Sequence, residues 1–339
     1  MKAAVMYRAF DLRLEEIPEP EPGPGTMLVR VKACGVCPVD IRVFNGEDVW
    51  VSLPAAGVSG HEIAGVVEKV GEGVFTHKPG DRVAGSLHKP CGLCKYCLTE
   101  SDNLCSNSGL YKPPVFGFAE YVLAYPDKMP VFGESLSFEE AAFTEPLAAC
   151  VNAVEKCGIK PGDWVAVVGV GQIGLMHVQL AKLKGARVVA IDLLDERLRL
   201  AEKLGADYAV NSSDKNAVEQ CRLLTKDDGF DKVITSVGGD DAIRFGLSLL
   251  AKKGIMNIFA STHPKTEISI DPNTIHYKEI IITGTYGGTK KDFKTALTLI
   301  QQGVVKVKPL ITHRLPLERI VEGFQLHSQR KSIKVIITP

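Results

Sequence analysis

At 339 residues the chain is longer than one hydrophobic core usually supports, so two domains are expected. Its 45% apolar content is ordinary for a folded water-soluble protein, and 40 basic residues balance 40 acidic ones, so no net field draws it toward nucleic acid or anionic lipid. No signal-peptide core and no run near the roughly 20 apolar residues of a spanning helix is evident, which predicts a cytoplasmic protein with a small-molecule partner.

In chain order, residues 1–147 are rich in Gly, Pro and short β-type runs, at 28–31 and 63–67 for example, which predicts an antiparallel, barrel-like domain. Residues 148–286 change texture. Strands at 164–168 and 186–191 alternate with helices at 173–184 and 195–204, and further elements follow at 232–235, 241–251, 255–260 and 280–283. This is the pattern of stacked βαβ units and a parallel, doubly wound sheet, so the overall class is α/β. Residues 287–339 carry a helix around 292–302 and a terminal strand at 333–337, and this tail is expected to return to the first domain.

The nine cysteines are odd in number, and four of them, Cys91, Cys94, Cys97 and Cys105, form a C-x2-C-x2-C-x7-C cluster. Four thiolates on one short lobe close a tetrahedron around zinc and leave no position for substrate, which makes such a site structural. An iron–sulfur cluster or two disulfides are the competing readings, and a reducing compartment disfavours the latter.

A second metal site has to be assembled from separated segments. Its candidates are Cys37 in Cys34-Gly35-Val36-Cys37-Pro38-Val39-Asp40, His61 in Gly60-His61-Glu62, and Glu145 in Thr144-Glu145-Pro146. One thiolate, one imidazole and one carboxylate leave a coordination place open, the mark of a catalytic zinc, which lowers the pKa of an alcohol. Glu62 either coordinates directly, exchanges with water or acts from behind the ligands, and Asp40 is the expected orienting partner of the imidazole. Taken singly, each residue has a plain explanation as a core thiol, a satisfied polar group or a helix-start charge. Cys34 and Cys37 also suit a redox C-x-x-C, which the lack of a strand-then-helix context argues against.

Gly169-Val170-Gly171-Gln172-Ile173-Gly174 directly follows an apolar strand and opens a helix, the context that a G-x-G-x-x-G dinucleotide motif requires. Asp192 ends the next strand, where a carboxylate accepts the ribose hydroxyls and repels a 2′-phosphate. NAD is therefore expected over NADP, with Arg197, Lys182 and Lys184 near enough to soften the preference.

With these residues together, the chain resembles the zinc-dependent medium-chain alcohol dehydrogenase superfamily over essentially its whole length. The likeness rests on C-G-V-C-x-x-D, S-G-H-E-I-A-G-V-V, the four-cysteine lobe, T-E-P-L-A and G-V-G-Q-I-G, in that order. Glu145 in E-P-L, where classical alcohol dehydrogenases carry cysteine, is similar to the sorbitol and polyol branch, as are residues 275–279 leading to Gly284-Thr285-Tyr286.

The resemblance implies a GroES-like β-barrel catalytic domain, a Rossmann domain with a cleft between the two, and catalytic zinc at Cys37, His61 and Glu145. It further implies NAD, two zinc ions per chain, Val237 and Thr285 among the cofactor contacts, and homotetramers or homodimers built through the Rossmann sheet.

Two departures stand out. Val39 replaces the Ser or Thr that normally starts a proton relay, so Glu62, Glu145, a zinc-linked water or the substrate's own hydroxyl must carry the proton. Arg42 stands where a histidine is frequent and reads either as an anion-binding cation or as a solvated surface residue. Phe44, Trp50, Phe116 and Phe118 are candidate pocket residues.

The expected reaction is hydride transfer between NAD and a secondary alcohol of a polyol or sugar derivative. Simple alcohols, amino alcohols and sugar phosphates are alternative substrates, and an inactive nucleotide-binding protein is the alternative of another class.

Overall fold

The computed structural model describes residues 1–47, 57–108 and 115–339, so Trp50 lies outside the described residues. The chain forms two compact units, one of Met1–Ala148 with Gly288–Pro339 and the other of Ala149–Gly287.

In the first unit the strand Met27–Gly35 is the hub. It pairs antiparallel with Glu62–Val70, with Tyr121–Ala124 and with Lys334–Thr338. Arg82–Gly85 extends the sheet at one edge, and Ile311–Pro316 extends it at the other by parallel pairing with Lys334–Thr338. A smaller sheet holds Asp11–Glu16, Lys2–Arg8 and Gly57–Val58. Successive strand side chains point to opposite faces, and here Val29, Val31, Ile63, Val67, Val335 and Ile337 turn inward onto Phe118 and Phe324. Each such side chain contributes roughly 1.5–3 kcal/mol through burial.

The register of the hub matters most for function. Gly35, at its carboxyl end, lies opposite Glu62 on one side and opposite Ile336 on the other. Two strands therefore deliver side chains to one point.

The second unit contains six parallel strands in the order Tyr208–Asn211, Arg187–Asp192, Trp164–Val168, Phe230–Thr235, Leu250–Ile258 and Ile281–Gly284. Helices cover the sheet, so its strands read as near-continuous apolar runs rather than alternating ones. Ala166, Val168, Val189, Ile191, Val233 and Met256 are buried on one face. Strand order reverses between Trp164–Val168 and Phe230–Thr235, and in such sheets ligands bind at the carboxyl ends beside that point.

Two expectations about local structure need correction. The strand expected at 255–260 begins at Leu250, directly from the helix Asp240–Leu249, because residues 251–254 bulge out and Lys253 adopts a left-handed φ of 61°. Cys34 and Cys37 do sit in a strand-then-helix context, between Met27–Gly35 and Pro38–Phe44. Cys34 is nevertheless a buried free thiol whose pKa burial pushes well above the ordinary value, which is a poor redox nucleophile. Among the described residues, no helix is long and apolar enough to cross a membrane.

Candidate active site

Cys37 is the N-cap of the helix Pro38–Phe44, with proline at the first helical position and Asp40 in the first turn. The Asp40 carboxylate binds the turn together: Oδ2 accepts the Cys37 N–H at 2.9 Å and Oδ1 accepts the Gly60 N–H at 3.2 Å. Oδ1 also lies 3.6 Å from His61 Nδ1, which leaves the other ring nitrogen for a ligand. Gly60 has φ +96°, and a Cβ there would press on Cys34 Sγ and Phe118 at 2.9 Å, so only glycine brings His61 into place.

The result is that Cys37, His61 and Glu62 offer ligand atoms within 4.8 Å of one another. Thiolate, imidazole and carboxylate are the donors that zinc takes in catalytic sites, so the residues fit the metal. Burial opposes charge on His61, but Cys37 and Asp40 outweigh it and hold the pKa well above the usual value. Burial holds the Cys37 thiol above its ordinary pKa, and His61 offsets only part of that rise.

Glu145 belongs to the helix Thr144–Cys157 and is not part of that three-residue cluster. It shares the same electrostatic neighbourhood, because burial raises its pKa to about 7 while His61 and Lys334 draw it down. The partner of Glu62 is a residue that sequence reasoning missed. Lys334, wholly buried, forms an ion pair with Glu62 Oε2 and donates to the Val36 carbonyl at 3.0 Å. A Cβ on Gly35 would collide with both side chains. The available signal was a lone lysine inside the apolar run Ile333-Lys334-Val335-Ile336-Ile337.

The four lobe cysteines are free thiols whose Sγ atoms gather into one cluster. Cys91 to Cys97, Cys94 to Cys97 and Cys94 to Cys105 measure 3.9, 3.6 and 3.9 Å. A tetrahedron with metal–sulfur bonds of about 2.3 Å has edges of about 3.8 Å, so the cluster fits zinc without rearrangement. N–H groups of Cys91, Cys94 and Asn107 point at these sulfurs from 3.2 to 3.4 Å, an arrangement that favours thiolates. The Leu93 amide, the Asn107 side chain and the Cys94 amide pull Cys91 down to about 6, whereas burial and neighbouring thiols push Cys97 up to about 12.

In the second unit, Gly169 turns with φ +85°, and a Cβ there would clash with Val237 at 2.7 Å. Gly171 caps the helix Gln172–Leu183, and among the described residues the nearest atom to its missing Cβ is Arg197 Nη1 at 3.7 Å, an ordinary contact. Gly174 packs so tightly on the Gly169 carbonyl that no side chain fits. Gln172, Ile173 and Gly174 lie in the first turn, where N–H groups lack helical partners and favour phosphate.

Asp192 ends the strand Arg187–Asp192 and is buried. Its Oδ2 accepts the Val170 N–H at 2.8 Å and its Oδ1 the Leu194 N–H at 3.0 Å. Each oxygen keeps a lone pair for a further donor, and the residue also pins the glycine loop. Thr285 Oγ1 accepts from Asn257 Nδ2 at 2.9 Å beside the end of Ile281–Gly284.

Of the expected pocket residues, Phe118 belongs to the core, and Phe44 is partly buried against it. Phe118 is 0% exposed, and Phe44 and Phe118 pack edge-on against Phe324 at 5.5 and 5.8 Å, because apolar rings gain more from each other than from a polar cavity. Phe116 is edge-on to His88 at 6.3 Å. Val39 is half-buried in the first turn of Pro38–Phe44 and Arg42 lies in the last.

Comparison with known proteins agrees with this construction. The Alcohol dehydrogenase GroES-like domain family matches residues 23–131, and the Zinc-binding dehydrogenase family matches residues 173–302. A sorbitol dehydrogenase of Halalkalibacterium halodurans is 34% identical, over 100% of this chain and 99% of its own length. An L-threonine 3-dehydrogenase of Bacillus subtilis is 35% identical, over 98% and 96% respectively. A solved zinc-binding dehydrogenase of Sinorhizobium meliloti bound to NADP superimposes with a TM-score of 0.92 at 30% identity, covering 100% of this chain and 99% of that one. With both halves matched and whole-length relatives above 30% identity, this chain belongs to the zinc-dependent medium-chain alcohol dehydrogenase superfamily and is an oxidoreductase.

Proposed function

We propose that this enzyme is an NAD-linked dehydrogenase that oxidises a secondary alcohol of a polyol or related sugar derivative, reversibly, with one catalytic and one structural zinc. The observation that carries the proposal is the convergence of Cys37 with the adjacent pair His61 and Glu62 within 4.8 Å. Zinc, when bound, supplies a Lewis acid that lowers the pKa of the substrate hydroxyl, and NAD supplies the acceptor of its hydride.

The chain's own residues do the rest. Cys37 and His61 would hold the metal, with Glu145 completing the set or Glu62 coordinating directly, and Asp40 fixes the imidazole through the contacts described above. Lys334 balances the charge of Glu62, so that carboxylate stays in place beside Cys37 and His61. Val39 offers no hydroxyl, so a polyol substrate, which brings a neighbouring hydroxyl of its own, suits the site better than a simple alcohol. The likeness to a sorbitol dehydrogenase supports the same reading.

For the cofactor, the Gln172–Leu183 N-terminus receives the pyrophosphate and the spare lone pairs of Asp192 accept the ribose hydroxyls, favouring NAD. Arg197 beside Gly171 works in the opposite direction, toward the NADP that the Sinorhizobium meliloti neighbour binds. The edge strand Ile281–Gly284, with Ile281 53% exposed, is where two copies would join their sheets in a homodimer or homotetramer.

A second reading, oxidation of an amino alcohol, is favoured by the L-threonine 3-dehydrogenase likeness. The test is metal analysis combined with a panel of polyols, simple alcohols, sugar phosphates and L-threonine, each with NAD and NADP. About two zinc ions per chain and fastest NADH formation on a polyol are expected. Fastest turnover of L-threonine selects the second reading, and a chain with one zinc and no turnover overturns both.

A further inference from the structure

One buried titratable group plays no part in the mechanism above. His177 projects from the helix Gln172–Leu183, five residues beyond its first, and is 0% exposed. Its Nδ1 lies 2.8 Å from Ser236 Oγ, its ring meets Phe259 edge-on at 4.7 Å, and its Nε2 has no partner among the described residues. Both contacts are with residues just past a strand end. Ser236 follows Phe230–Thr235 and Phe259 follows Leu250–Ile258. The helix that begins at the glycine loop thus reaches across to two strand exits on the far side of the switch point from Asp192.

Hydrogen bonding decides how this contact is polarised. Burial without a charged partner lowers the His177 pKa to about 3, so the imidazole is neutral and has one donor and one acceptor nitrogen. An orphaned buried N–H costs more than an orphaned acceptor, so the proton sits on Nδ1 and is donated to Ser236 Oγ, leaving Nε2 as the bare nitrogen. Ser236 then has its own hydroxyl proton to give. Its backbone is already fixed, since its N–H donates to the Val168 carbonyl at 2.8 Å, and the next residue, Val237, is 43% exposed and packs on Gly169. Ser236 is half-buried, with the His177 imidazole against its hydroxyl and the exposed Val237 and Gly238 following it.

We propose that His177 is a positioning residue for the dinucleotide, holding the Ser236 hydroxyl so that it donates to the nicotinamide half of the cofactor. The inference rests on the NAD-binding reading above. In a doubly wound sheet the dinucleotide crosses the switch point, so with Asp192 on the adenosine side, Ser236 and Val237 fall to the nicotinamide side.

The zinc-loaded enzyme and its His177→Leu, His177→Asn, Ser236→Ala and His177→Leu/Ser236→Ala variants test this. Binding of NADH and of ADP-ribose, which lacks nicotinamide, is measured for each alongside the thermal midpoint. His177→Leu and Ser236→Ala are each expected to weaken NADH by about five- to tenfold, the worth of one hydrogen bond, while ADP-ribose stays within about twofold. The double variant should be no weaker than either single one, and His177→Asn, whose amide replaces Nδ1, should recover most of the loss.

Equal losses for NADH and ADP-ribose would reduce His177 to a core residue and overturn the inference, as would additive losses or unchanged NADH binding. Wild-type protein that fails to bind NADH at all would instead sink the NAD-binding reading, and this inference with it.

Discussion

The four-cysteine lobe takes like donors from one short loop, with Cys91 and Cys105 only 14 positions apart, and aims backbone N–H groups at their sulfurs. The Cys37 site takes unlike donors from a helix N-terminus and from His61 and Glu62 at the start of a distant strand, and its Glu62 is balanced by a lysine 272 positions away. Local construction yields a closed, self-sufficient cage whose geometry depends on little beyond itself. Long-range construction yields a site that exists only when the whole antiparallel sheet is in register, and that retains mixed donors and buried charge. The difference teaches why one arrangement suits a structural metal and the other a reacting one.

Substitution breaks this comparison in graded steps. Cys37→Ala removes a ligand from the open site, and kcat/KM should fall by at least about a thousandfold, with one zinc lost per chain and the thermal midpoint little changed. Persistence of activity would mean that Cys37 is a core thiol. Next in size, Lys334→Met leaves Glu62 as an uncompensated buried charge, which costs about 3–5 kcal/mol of stability. Zinc affinity or kcat/KM should drop about 10–100-fold, and Lys334→Arg should retain most of it. A Met variant with wild-type zinc affinity and kcat/KM would show that the pair does not serve the site.

The smallest effect on turnover is expected from Cys97→Ser, which opens the lobe. The midpoint of unfolding should fall and one zinc should be lost, while kcat of the folded enzyme stays within about twofold, as measured by calorimetry beside steady-state kinetics. A collapse of kcat at unchanged midpoint would reverse the roles given to the two sites.

Much of this is legible in the amino-acid sequence. The parallel sheet followed from alternating strand and helix runs, and the glycine loop followed from its position between Trp164–Val168 and Gln172–Leu183. The lobe was legible because its four cysteines stand close together in the chain. The place of Phe118 is not legible: ring size alone does not say which face a phenylalanine occupies, and Phe118 is buried in the core against Phe324. His177 and Lys334 were passed over because a single polar residue in an apolar helix or strand carries no periodic signal.

By itself, the amino-acid order determined whatever depends on near neighbours: the βαβ alternation, the glycine-rich turn that opens Gln172–Leu183, and the thiolate spacing of the lobe. Only the tertiary structure decided which distant groups meet. Gly35 lies opposite both Glu62 and Ile336, and that register brings Lys334 onto Glu62. The physical reason is that hydrogen-bonded ladders between strands fix side-chain neighbours through cooperative sheet pairing, and a shift by one residue would turn each of these groups to the opposite face.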